Sequence, residues 1–342
     1  MSFTREKREA VRHYLLEKID AGDTAFVKKT SEAFQVSDKT IYRYLHELAG
    51  QGVLCKNGTQ YMLHNEQFDF SFRHDDLKSA DEDRIYRDYI RQYTEDLPEN
   101  VRDIWYYSFT EMMNNAIDHS DAAAILVKVQ KNSLHMTIIL YDDGIGIFRK
   151  IKEHFGYDSL EDAIEDLFKG KLTTDSEHHT GEGIFFTSRM LDMFAVISNG
   201  RLFSQDKCDQ LAGDARELLT STGTGQVPGT YVYMRLANSS NRYDTEIFDR
   251  YADVDGGFIR TQIPLKNIYE TWPVSRSQAK RLCRGFDRFE QVELDFSEIA
   301  KIGQGFAHEV FVVWQKAHPG TILIPSGTNE TVQKMIRHVR GN

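Results

Sequence analysis

The sequence predicts a multidomain α+β protein, and three observations lead there. Residues 1–63 carry three short helical patterns followed by two β-type runs around Asn57-Gly58, a tight-hairpin dipeptide. The middle of the chain sets apolar strand patterns beside glycine turns that open helices. The last third reads strand, helix, strand, helix, the order of an α/β layer.

A length of 342 residues suits two or three domains. Hydrophobic content of 40% and charged content of 27% are those of an ordinary globular protein. No apolar run approaches the roughly eighteen residues of a membrane span. The start, Met-Ser-Phe-Thr-Arg-Glu-Lys-Arg, lacks the apolar core of a signal peptide. Cys55, Cys208 and Cys283 are far apart and form neither a metal motif nor a paired framework. The expectation is a reduced, cytoplasmic setting with no membrane partner. The net charge of −10 excludes a generic polyanion binder. Residues 1–63 differ, with ten Lys+Arg against eight Asp+Glu, a net of +2. Only this head is suited to nucleic acid.

In the head, Val11, Tyr14, Leu15 and Ile19 give Lys7–Ile19 helical spacing, and Phe26–Phe34 reads as a second helix. Ser37 is the expected N-cap of a third, in which Ile41, Leu45 and Leu48 form one buried stripe. Three helices and a hairpin resemble a winged helix-turn-helix domain over residues 1–65. The resemblance implies that the third helix presents Lys39, Thr40, Tyr42 and Arg43 to a DNA major groove, with Lys56 on the wing near phosphate. A winged helix that docks proteins instead of DNA is the alternative, and the low net charge favours it. Residues 66–84 are polar and acidic and read as a linker.

In the middle, Glu111 and Asn115 lie four apart, so a helix places them on one face. A carboxylate can deprotonate a water, and an amide oxygen can ligate Mg²⁺. The strand pattern Leu134–Tyr141 ends in Asp142-x-Gly144-x-Gly146. Gly181-x-Gly183 then opens a helical pattern, where free amide N–H groups attract anions. Gly229-Thr230 leads into an alternating strand ending at Leu236. Each motif alone is ordinary, but the ordered set, with Glu111-x-x-x-Asn115-Ala-x-x-His119 as its N box, resembles the GHKL ATP-binding superfamily. The resemblance covers residues 85–240 and implies a Bergerat-type α/β sandwich that binds ATP and Mg²⁺. It further implies that Asp142 accepts from the adenine amino group, that Asn115 ligates Mg²⁺ and that Glu111 is the catalytic base. Gly144 and Gly146 would pass close to base and sugar, Gly181 and Gly183 would wrap phosphates, and Thr230 would support Asp142. His119 would either approach the phosphates or close its helix, and Thr174 is placed with the ATP-binding set.

Between the glycine turns, residues 148–180 are expected to form an ATP lid containing a helix capped by Ser159. Lys169 and Lys171 are read as solvated rather than phosphate-bound. Glu177-His178-His179 is read as a polar lid run rather than a zinc site.

At the C-terminus, Val274–Leu282, Gln291–Phe296, Phe306–Trp314, Thr321–Pro325 and Glu330–Val339 read as helix, strand, helix, strand, helix. The run from Leu294 to Val310 resembles a STAS-like domain of unknown function, placed at residues 250–342. In anti-sigma antagonist relatives a Ser opens the helix after this strand and accepts phosphate. Here Ile302-Gly303-Gln304-Gly305-Phe306 has no hydroxyl, with Ser297 and Ser326 as lesser acceptors, so a binding or dimerisation module is expected.

The leading expectation is a regulator whose DNA-binding head is switched by Mg-ATP binding or hydrolysis. DNA is its expected partner through residues 1–65 and a protein through residues 250–342. Two half-sites on DNA would make it a homodimer. The alternatives are an anti-sigma-type serine/threonine kinase acting on a separate protein, and a gyrase- or MutL-like ATPase.

Overall fold

The computed structural model describes residues 4–58, 60–73, 81–172, 181–205, 228–253, 257–269 and 271–341. The head consists of α1 (Arg5–Asp20), α2 (Phe26–Phe34), α3 (Asp38–Gly50) and the hairpin β1 (Leu54–Asn57)–β2 (Gln60–Leu63). Ser37 caps α3 by accepting from the Thr40 backbone N–H, a contact worth about 1 kcal/mol. Gln35 takes a left-handed conformation that ends α2. Val11, Leu15, Ile41, Leu45 and Leu48 bury the facing sides of α1 and α3 with Leu54 and Leu63 of the hairpin.

Six antiparallel strands make the central sheet, in the order β3-β4-β5-β8-β6-β7. They are β3 (Glu66–Arg73), β4 (Ala124–Lys131), β5 (His135–Asp142), β6 (Met193–Ser198), β7 (Arg201–Ser204) and β8 (Thr230–Ala237). The segment 66–84, expected as a linker, instead supplies the edge strand β3 and then α4 (Glu82–Ile85), which runs on through a π-helical turn to Ile90. Phe68, Phe70 and Phe72 of β3 alternate inward, with Phe68 stacked 4.3 Å from Tyr93 and Phe70 edge-on to Tyr89. The polar residues that suggested a linker occupy the opposite face of the same strand.

One face of the sheet carries the core. Ile125, Val127, Ile138, Leu140, Met234 and Val196 come from four strands by the two-residue period. Against them lies the 21-residue α5 (Glu99–His119), burying Ile104, Trp105, Phe109 and Met112. The span 148–180, expected as a lid, begins with two core helices. These are α6 (Ile147–Phe155), which buries Phe148 and Ile151, and α7 (Leu160–Lys169), which buries Ala163, Leu167 and Phe168. The expected Ser159 cap is present as a reciprocal capping box with Asp162. Thr174 and Glu177-His178-His179 lie outside the described residues. After them comes α8 (Gly183–Met190).

Beyond α9 (Asp244–Tyr251) lies a three-stranded parallel sheet, order β11-β10-β9, made of β9 (Arg260–Pro264), β10 (Gln291–Asp295) and β11 (Ile322–Ser326). Parallel neighbours need crossovers. Here α10 (Leu265–Ile268) and α11 (Arg276–Leu282) join β9 to β10. Next, α12 (Gln304–His308), continued as a π-helical stretch to Trp314, joins β10 to β11. The chain closes with α13 (Glu330–Arg340). Val292, Leu294, Phe306 and Val332 of this unit belong to the same continuous core as α5 and the central sheet.

Candidate nucleotide site and nucleic-acid face

A cavity of about 300 Å³ opens between α5, the β5 and β8 ends, α6 and the start of α8. That is the lower end of the usual size for small-ligand pockets. Glu111, Asn115, His119, Asp142, Gly181, Gly183 and Thr230 all line it. These residues span about 120 positions of sequence, and the fold brings them to one wall-to-wall space.

The register explains part of this convergence. Asp142 ends β5 and pairs directly with Thr230, the first residue of β8. Asp142 is 4% exposed and accepts from the Gly144 N–H at 3.0 Å. Burial pushes its carboxyl up to about 6, against the opposing hydrogen bonds from Gly144 and Thr230. Thr230 Oγ1 also accepts from the Ile147 N–H at 3.1 Å, tying the start of α6 to the same corner.

Glycines allow the backbone to close around this corner. A Cβ on Gly144 would lie 1.9 Å from the Ser120 carbonyl oxygen, and one on Gly229 would lie 1.8 Å from that of Asp142. Gly144 and Gly146 are not themselves in the cavity lining; they set the turn that aims Asp142 and Ile147 into it. Across the cavity, a Cβ on Gly183 would lie 2.1 Å from Glu111 Oε2, so the Glu111 carboxylate rests against the first residue of α8. Burial, then the charges of Glu111 and Glu182, push the nearby Tyr107 hydroxyl upward, which marks this end of the cavity as acidic.

Asn115 follows Glu111 by one helical turn and faces the same space. Mg²⁺ takes one or two protein oxygens and completes its shell with phosphate oxygens and water. An amide oxygen beside a carboxylate on one helix face fits that donor chemistry. Lys150, Asn114, Glu182 and Leu172 also line the cavity and were not singled out from the sequence. Lys150 could have been found: it lies four residues beyond Gly146, on the first turn of the helix that the glycine turn opens. Its Nζ is 3.2 Å from Asp121 Oδ2.

Lys169 is not solvated, and Lys171 is partly so. Lys169 is 3% exposed and bonds to Asp166 Oδ1 at 2.6 Å and to the carbonyl oxygens of Arg281 and Arg284 at 3.1 Å each. Lys171 Nζ donates to the Arg288 carbonyl at 3.0 Å. Both ammonium groups are held by the C-terminal unit.

On the head, Lys39, Tyr42 and Arg43 stand on the exposed face of α3, opposite the buried Ile41, Tyr44 and Leu45. Tyr42 is 51% exposed. Arg43 Nε is 3.6 Å from Glu47, and Thr40 Oγ1 is engaged with Ser37 Oγ at 3.0 Å in the helix cap. Lys56, on the hairpin, lies over the Tyr61 ring at 5.4 Å. The opposite side of the head is docked on the central sheet. Leu134 joins the head core, and Arg235 Nη2 donates to Asp20 Oδ2 at 2.6 Å.

The strands β10 and β11 of the parallel sheet, with the helices around them, are the part of the fold that comparison with known families reaches. A family profile described as STAS-like domain of unknown function (DUF4325) matches residues 278–333. The chain therefore carries a C-terminal STAS-like domain. No curated protein matches the sequence. Within the STAS-like domain, the hydroxyl-free turn before α12 is closed by backbone. The Gly303 N–H donates to the Pro273 carbonyl at 2.9 Å, and a Cβ there would lie 2.4 Å from the Val274 carbonyl oxygen. Among the described residues no helix is long and apolar enough to cross a membrane, and no cluster of three or more His, Cys, Asp or Glu side chains could hold a metal.

Proposed function

We propose that this protein is a cytoplasmic ATP-binding regulator of the GHKL type, whose winged-helix head reads DNA and is switched by Mg-ATP. The observation that carries the reading is the convergence of Glu111, Asn115, Asp142, Gly181, Gly183 and Thr230 on one cavity. In this reading the purine lies against Asp142, which accepts a hydrogen bond from the adenine amino group. The phosphates run toward the open amides at the start of α8, where the helix dipole favours anions. Asn115 would supply an oxygen to Mg²⁺, whose charge would offset the acidity of that end. Glu111 takes the proton from the attacking water.

The link from cavity to head runs along β5 and β8. Their cavity ends are Asp142 and Thr230; toward their other ends, His135 and Arg235 face Asp20 of the head. A ligand moves the head only through different affinities for two arrangements of this contact. Two copies on a palindromic site would match the usual geometry of such readers.

Glu111→Ala tests the chemistry. The expected result is retained nucleotide binding with phosphate release lost. Phosphate release persisting at the wild-type rate removes Glu111 from the role of base. Recovery of label on an added protein rather than as free phosphate would identify the kinase reading instead.

A further inference from the structure

The cavity wall formed by residues 169–172 is held from outside the cavity. Gly170 and Leu172 line the cavity, and the Leu172 N–H donates to the Gly181 carbonyl at 3.3 Å, joining the two sides of that wall. Between them the backbone is left-handed at two successive residues, with φ +80° at Gly170 and +54° at Lys171. A left-handed lysine persists only where its surroundings over-determine it. Besides Phe185 of α8, which also abuts Gly170, the surroundings here come from the C-terminal unit. Thr261 Oγ1 of β9 donates to the Lys169 carbonyl at 2.7 Å. Arg288 Nη1 donates to the Lys171 carbonyl at 3.0 Å, while Lys171 Nζ donates back to the Arg288 carbonyl. Phe258 closes on Gly170, where a Cβ would lie 2.7 Å from its ring.

We propose that the C-terminal unit regulates the cavity in cis, with Thr261 and Arg288 as positioning residues that set the 169–172 wall. Neither residue lines the cavity. Their hydrogen bonds fix carbonyl oxygens two residues apart on either side of Gly170, so the left-handed Lys171 cannot relax while both are made. A change in the C-terminal unit that breaks these bonds, such as a partner bound over the exposed Arg288, releases the wall and with it the ligand. Coupling of this kind is reciprocal, so ligand in the cavity must also tighten the C-terminal unit.

The ligand arm of the test rests on the nucleotide reading; the backbone arm does not. Amide exchange at Leu172 is followed in the ligand-free full chain for wild type, Thr261→Val/Arg288→Ala and Arg288→Lys. In parallel, the dissociation rate of a non-hydrolysable ATP analogue with Mg²⁺ is measured on the same proteins. The expected result is at least tenfold faster Leu172 exchange and at least tenfold faster analogue release in the double variant, which loses both hydrogen bonds. Arg288→Lys, which keeps a donor, restores most of both. Unchanged Leu172 exchange overturns the proposal whatever the ligand does. Faster exchange with unchanged analogue release overturns the coupling to the cavity. If wild type binds no analogue, the nucleotide reading fails, and the exchange arm alone decides whether Thr261 and Arg288 set the wall.

Discussion

Replacing Asp142 by Asn should stabilise the ligand-free protein in alkaline solution and do progressively less as the pH falls. Asp142 is buried and its folded pKa is raised from 3.8 to about 6. A raised folded pKa means that the folded state holds the proton more tightly than the unfolded chain. The resulting stability is fully present below pH 3.8 and is lost as pH rises through 6. A shift of about two units corresponds to about 3 kcal/mol between the two limits. Asn is uncharged throughout and can still accept from the Gly144 N–H, so it keeps what the carboxylate loses. Between pH 5 and pH 8 the wild type should lose about 1.4 kcal/mol that the variant retains. Urea denaturation of both proteins at both pH values measures this, because every other titrating group contributes equally to the two and cancels. The stability of the variant relative to wild type should rise by that amount from pH 5 to pH 8. An equal difference at both pH values would refute the burial of a charged Asp142 as the source of its shift.

Gly183→Ala places a methyl where Glu111 Oε2 now lies, so turnover should fall at least tenfold with the fold retained, read by phosphate release beside circular dichroism. Lys169→Ala removes the ammonium paired with the buried Asp166 carboxylate and leaves it the Tyr157 hydroxyl as donor, at a cost of about 3 kcal/mol in chemical denaturation. Wild-type stability in that variant would show that Asp166 finds another partner. Arg43→Ala should weaken binding in a gel shift on the DNA upstream of the protein's own coding region by about tenfold, and in a salt-dependent manner; unchanged affinity would favour a head that docks protein.

The helical head and the cavity corner were legible for the same reason: both are written in local signals. Ser37, the Ile41–Leu45–Leu48 stripe and Gly58 act within a few residues, and so do the glycines that surround Asp142, although Asn57 pairs with Gln60 and so belongs to the strand and not to the turn. The antiparallel register then brings Thr230 opposite Asp142, which glycine positions alone do not specify. Where partners are distant, the sequence misleads. Lys169 looks solvated because most lysines are; its two carbonyl partners lie 112 and 115 residues away. β3 looked like a linker because an edge strand turns its charges to solvent, although Phe68, Phe70 and Phe72 already carried the two-residue period. β9 is weakly marked because Arg-Thr-Gln-Ile-Pro is short and has one strongly apolar residue, Ile263, although Thr261 and Ile263 alternate into the core; its pairing with β10 is set by packing against α7 and the parallel sheet.

The convergence of Asn115 and Asp142 on one cavity is tested most directly by calorimetric titration of the full chain with ATP and with GTP, each with and without Mg²⁺. The account predicts that ATP binds, that Mg²⁺ strengthens it, that GTP binds at least tenfold more weakly, and that Asn115→Ala removes the Mg²⁺ effect. Absence of ATP binding, or equal affinity for GTP, would contradict it.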